Sequence, residues 1–170
     1  MLNLVIIVKS IYRGEVNAMS DVRVRPAVAQ DQAAIKQIIK DEHLDPSALE
    51  WSHFLIAEAE GEIVGIGQIR PYPKCRELGS LVVKSAYRGM GVGVLLVNAL
   101  LEHETGDIYL ECQIKNETYY NRFGFQKIPW YQAPPPLKYK AFIGVVFLRV
   151  FGIHIIAMKR VPQPIISSTK

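Results

Sequence analysis

Residues 81–93 decide the fold: Leu81-Val82-Val83-Lys84-Ser85-Ala86-Tyr87-Arg88-Gly89-Met90-Gly91-Val92-Gly93. An apolar strand ends at Val83 and a short loop follows. A Gly-rich turn then opens a helix with apolar positions Val92, Leu95, Leu96, Ala99 and Leu100. Gly89, Gly91 and Gly93 let the backbone pass close to a ligand without Cβ interference. The free N–H groups at the helix start point into one concavity. With the positive end of the helix dipole behind them, they form an anion site, and Arg88 adds charge. Such a site suits a pyrophosphate. No Gly-Lys-Ser/Thr follows, so the run is not a P-loop. Nor is its spacing that of the dinucleotide fingerprint. The plainer reading of three glycines here is a tight packing turn.

Working upstream, residues 22–28 alternate as a strand, and Asp31 is placed to cap a helix through Ala34, Ile35, Ile38 and Ile39. Asp45-Pro46 is expected to start a second short helix. Strands are expected at 53–59 and 63–70, joined at Glu60-Gly61 as a hairpin, with a break at 71–74 and a further strand at 77–83. Downstream, the helix runs over 89–104 and stops at Gly106. Then come a strand at 107–113, a short helix at 118–123 ended by Gly124, and a strand at 125–129. Pro134-Pro135-Pro136 is expected as a stiff linker. A helix at 137–151, ended by Gly152, precedes a last strand at 153–161. This order predicts an α/β (α+β) fold: a mixed, mostly antiparallel central sheet of about seven strands, flanked by helices. Residues 1–18 are expected as an N-terminal extension, 19–161 as the domain and 162–170 as a tail.

The chain has 170 residues, enough for one domain to bury a full core without a disulfide framework or a structural metal. Hydrophobic residues at 49% and charged residues at 21% exclude disordered and fibrous classes. Two cysteines, with no C-x-x-C pair, argue against zinc and fit a reducing cytoplasm. No metal is expected. The net charge of +4 is uneven. Residues 1–117 carry 12 Lys/Arg and 16 Asp/Glu, whereas residues 118–170 carry eight Lys/Arg and no acid. Those cations are spread out rather than clustered, which favours a solvated face over a nucleic-acid site, and no nucleic-acid partner is expected. The apolar stretch 141–158 has the length of a bilayer span, but Arg149 and Gly152 interrupt it, so a buried helix followed by a core strand is expected instead of membrane contact.

Arg88-Gly89-Met90-Gly91-Val92-Gly93 matches the Q/R-x-x-G-x-G/A signature of the GNAT N-acetyltransferases. Residues 77–83 look like that family's fourth strand. Tyr119-Tyr120-Asn121-Arg122-Phe123-Gly124-Phe125 is similar to its Y-x-x-x-G-F segment. The resemblance covers residues 22–161 and implies a cytoplasmic N-acetyltransferase that moves the acetyl group of acetyl-CoA directly to a primary amine. It implies that the pyrophosphate sits on the backbone of Arg88, Gly89, Met90, Gly91, Val92 and Gly93. The pantetheine arm would add like a strand beside Leu81, Val82 and Val83. It further implies Glu77 as general base and Tyr120 as the general acid that protonates the departing thiolate. The plainer readings are an exposed Glu77 pairing with Arg76 or Lys74, and a core aromatic at Tyr120. The family often has an Asn seven residues before the Tyr. Here Gln113 stands there and Asn116 is four before, so neither is given a role.

Trp51, His53, Trp130 and Tyr131 are candidates to line the acceptor pocket, and Cys112 is expected as a core thiol. The helix at 137–151 is apolar around most of its circumference. It is therefore expected to pack on its own domain and also to make a homodimer contact or close the acceptor site. A non-catalytic acyl-CoA sensor is the alternative function. The identity of the amine is left open.

Overall fold

The computed structural model describes residues 22–150 and 152–161. The expected extension at 1–18 and tail at 162–170 lie outside them. The chain divides into two compact units. The first holds the described residues up to Arg70 together with Leu78–His103, and the second holds Pro71–Glu77 and those from Glu104 onward.

The strands are β1 (Arg23–Pro26), β2 (Phe54–Ala59), β3 (Glu62–Tyr72), β4 (Cys75–Val83), β5 (Ile108–Gln113), β6 (Phe125–Ile128) and β7 (Ile155–Arg160). The helices are α1 (Gln32–Asp41), α2 (Val92–Leu101), α3 (Glu117–Asn121) and α4 (Leu137–Val150). Hydrogen bonding orders the seven strands β1-β2-β3-β4-β5-β7-β6, with the β4–β5 pair parallel. The β1–β2, β2–β3, β5–β7 and β6–β7 pairs are antiparallel. This is the mixed, seven-stranded sheet expected from the sequence.

In the first unit, Val64 to Arg70 are all buried, a continuous run suited to a strand covered on both faces. Helix α2 lies against it and buries Val92, Leu96, Val97, Leu100 and Leu101. The packing is close: a Cβ on Gly65 would sit 3.0 Å from Leu96 Cδ1, and one on Gly67 would sit 2.9 Å from Leu100 Cδ1. Helix α1 buries Ile35 and Ile39 with Phe54, Ile56 and Ile66 in a second cluster.

Several expectations are corrected. Asp31 does not cap α1 with its side chain. Its carboxylate accepts the Val28 N–H at 2.8 Å and the Arg25 guanidinium at 2.8 Å, and a 3-10 turn at Ala29–Asp31 leads into the helix. No helix begins at Asp45-Pro46. Asp45 Oδ1 accepts the Ser47 N–H at 2.9 Å, closing a local turn, and Ala48 follows with φ 52°, which ends any helical path. Strand β3 continues through Pro71 to Tyr72, where a break was expected, so the turn falls at Pro73-Lys74. Pro134 to Pro136 are no linker. Their carbonyls accept the N–H groups of Lys138 and Tyr139 and start α4.

Candidate active site

In the first unit, the run from Leu81 to Gly93 folds as β4, a 3-10 turn at Ser85–Tyr87, a Gly-rich turn and α2. The helix begins three residues later than the sequence suggests, because Gly89 and Gly91 take φ of 81° and 84°. That left-handed backbone strains any residue with a Cβ. Nothing lies within 4 Å of a Cβ built on either, so the turn faces open space. Leu95 N–H donates to Gly91 C=O, the first helical bond, so the N–H groups of the preceding residues are unclaimed by the helix. Arg88 ties this turn to the strand: its Nε donates to Val83 C=O at 2.8 Å and its Nη2 to Glu42 at 3.2 Å. The expected pyrophosphate and pantetheine residues are thus contiguous along the chain within this unit, with Val82 and Val92 buried.

In the second unit, Glu77 is buried at 5% exposure, contrary to its reading as an exposed strand residue. Its Oε2 accepts the Tyr72 hydroxyl at 2.9 Å, and Lys140 Nζ stands 3.8 Å away. Arg76 pairs instead with Glu104. Tyr72 and Lys140 were not foreseen as parts of this environment, since their sequence neighbourhood carries no motif.

Tyr120 packs edge-on against Phe125 and Tyr119. Burial first, then the nearby Cys112 and Tyr119, pushes its phenol well above the usual tyrosine range. Cys112 is itself pushed up to about 11 by burial, and contacts Met158 Sδ at 3.8 Å, a core thiol as expected. Strand parity separates the two residues expected as acid and base. Glu77 is opposite Tyr109 in the parallel register and shares its face, whereas Cys112, three residues on, lies on the other face with Tyr120 beside it.

The aromatic candidates divide between the units. Trp51 packs on the Ile35–Phe54 cluster, and His53 Nδ1 is buried with no hydrogen-bond partner. Trp130 meets Phe142 at a tilt of 51°, ring centroids 5.2 Å apart, and Tyr131 edge-on, with Tyr131 exposed. Gln113 is exposed and Asn116 precedes α3 without a side-chain cap. Among the described residues, no three His, Cys, Asp or Glu side chains gather as a metal site. No helix among them is long and apolar enough to cross a membrane.

An open Gly-rich turn between a strand and the start of a helix is a geometry suited to an anion. The model of the acetyltransferase (GNAT) family matches residues 17–125, and the chain belongs to that family. No curated protein matches the sequence. Among solved structures, N-acetylglutamate synthase from Neisseria gonorrhoeae, complexed with coenzyme A and N-acetyl-glutamate, is similar at 18% identity and TM-score 0.64. The match covers 84% of this chain but only 35% of that one, so this chain spans about a third of its length. Rv2747 from Mycobacterium tuberculosis, in complex with CoA, is similar at 19% identity and TM-score 0.65, over 82% of this chain and 99% of that one. A GNAT-family acetyltransferase from Staphylococcus aureus Mu50 follows at 16% identity and TM-score 0.61, over 82% and 98%. These likenesses establish the fold.

Proposed function

We propose that this protein transfers the acetyl group of acetyl-CoA directly to the primary amine of a small molecule, peptide or protein. The observation that carries the reading is the open turn at Gly89 and Gly91, with its positive φ values ahead of α2. Backbone N–H groups from Gly89 to Gly93 hold the pyrophosphate; the Arg88 N–H is already given to Ser85 C=O, so Arg88 contributes its guanidinium, which exchanges its Glu42 partner for the phosphate. The pantetheine amides bond the backbone of Leu81 to Val83.

The neutral amine attacks the acetyl carbonyl carbon. Glu77 takes the proton that the nitrogen sheds, directly or through one water. The C–S bond breaks, and Tyr120 O–H gives its proton to the departing sulfur, leaving an amide and free CoA thiol. The raised phenol stays protonated through neutral pH, as an acid must, although it is a more reluctant donor than an ordinary tyrosine. Cys75 and Cys112 are free buried thiols, which supports a cytoplasmic setting. The homodimer belongs to this reading too, since Tyr139, Phe142 and Ile143 stand exposed on α4.

The test is thiol release from acetyl-CoA against a panel of amino acids, polyamines and peptide N-termini, with mass detection of the acetylated product. Turnover of one class is the expected result. Tight CoA binding with no acetylated product anywhere in the panel would favour the sensor reading.

A further inference from the structure

Helix α4 lies beyond residues 17–125, the stretch that matches the family model, yet it reaches the buried carboxylate of β4. Lys140 Nζ is 2.9 Å from the Tyr72 hydroxyl, and that hydroxyl is 2.9 Å from Glu77 Oε2. The chemistry of the three groups fixes the direction of both bonds. An ammonium has donors only, so the phenol oxygen accepts from Lys140. The phenol has one hydrogen, so that hydrogen goes to the carboxylate. Lys140 Nζ also stands 3.8 Å from Glu77 Oε2 and 5.5 Å from the centre of the Tyr72 ring. The Lys140 side chain retains 30% exposure and that of Glu77 only 6%, so the chain of bonds runs from the surface to a buried anion. The other groups on this face within the unit are Cys75 on β4, Tyr109 and Glu111 on β5, and Lys159 on β7, which is held by Asp107.

We propose that Lys140, acting through Tyr72, is a positioning residue that holds the Glu77 carboxylate in place to receive the acceptor's proton. This rests on the reading of Glu77 as the base. Burial of a carboxylate is costly without a nearby cation and hydrogen bonds, and the pair supplies the cation and a hydrogen bond to Oε2. The sheet thus offers the base, and a helix outside the matched stretch supplies the ammonium and hydrogen bond that orient it. Neither Lys140 nor Tyr72 touches the reacting atoms.

The experiment is a double-mutant cycle on the full chain, using acetyl-CoA and the amine that the panel returns. Lys140→Met should lower kcat about 10-fold with the KM for acetyl-CoA unchanged, and Lys140→Arg should recover most of that loss. In the Glu77→Gln background the Lys140→Met change should have no further effect, because its whole action passes through the carboxylate. Tyr72→Phe should repeat this pattern, with the fold checked by circular dichroism for every variant. An equal loss from Lys140→Met in both backgrounds, or no loss in either, would overturn the positioning role while leaving the base intact. A Glu77→Gln variant as fast as the parent would instead overturn the base reading, and the positioning role with it.

Discussion

At the scale of single residues, the proposed reaction divides the proton work between Glu77 and Tyr120. Tyr120→Phe removes the only proton the phenol can give and leaves its packing on Phe125 unchanged. The kcat should fall about 10²-fold, the usual scale for a general acid, with little change in CoA affinity. Stopped-flow thiol release with the true acceptor checks it, and an unchanged rate would remove the role. Glu77→Gln should lose most at low pH and progressively less as pH rises, because a base matters less once the amine is already neutral. A pH-independent loss in the kcat/KM profile would point to orientation of the acceptor instead. Both were singled out only through the family resemblance, Glu77 by its place on the fourth strand ending at Val83 and Tyr120 by its offset of four from Gly124. Tyr72 and Lys140 were not, since they are 68 positions apart and meet only through the tertiary fold.

At the scale of elements, periodicity identified α2 and the β2–β3 hairpin, where apolar spacing and turn chemistry agree. It failed where a side chain had two possible partners. Asp31 has the sequence position of a helix cap, but Arg25 at the end of β1 and the Val28 N–H claim its carboxylate. Asp45 likewise closes a turn with Ser47 and pairs with buried Arg70, so the chain after α1 has no helix at Pro46. The Asp31 contact makes a testable statement. The hydrogen bond from Arg25 lowers its carboxyl below the usual range, against the opposing effect of burial and with help from Val28 N–H. A lowered folded-state value means that the stability it contributes is fully present above the unfolded value of about 3.9 and is lost as pH falls through the folded one. Asp31→Asn should therefore cost about 1–2 kcal/mol near pH 7. The two urea midpoints should converge as pH falls through the lowered folded-state value, where the parent carboxyl is protonated as well. A constant difference across that range would show that the loss is one of packing.

At the scale of the whole molecule, the sheet was legible because its strands carry plain alternation or continuous burial. The surface of α4 was legible in part: Leu137 and Ala141 are buried, whereas Tyr139, Phe142 and Ile143 are exposed, as expected of a helix apolar on more than one side. A double change of Phe142 and Ile143 to Asp should turn a homodimer into a monomer that still binds acetyl-CoA, by light scattering. A monomeric parent would remove the dimer from the account. The central claim is that the turn before α2 receives the pyrophosphate of acetyl-CoA, and calorimetric titration of acetyl-CoA into the parent and Gly91→Glu tests it most directly. The parent should bind, and the variant should remain folded but show no binding, because both a side chain at positive φ and a negative charge enter the cradle. Equal affinity in a folded variant would contradict the account.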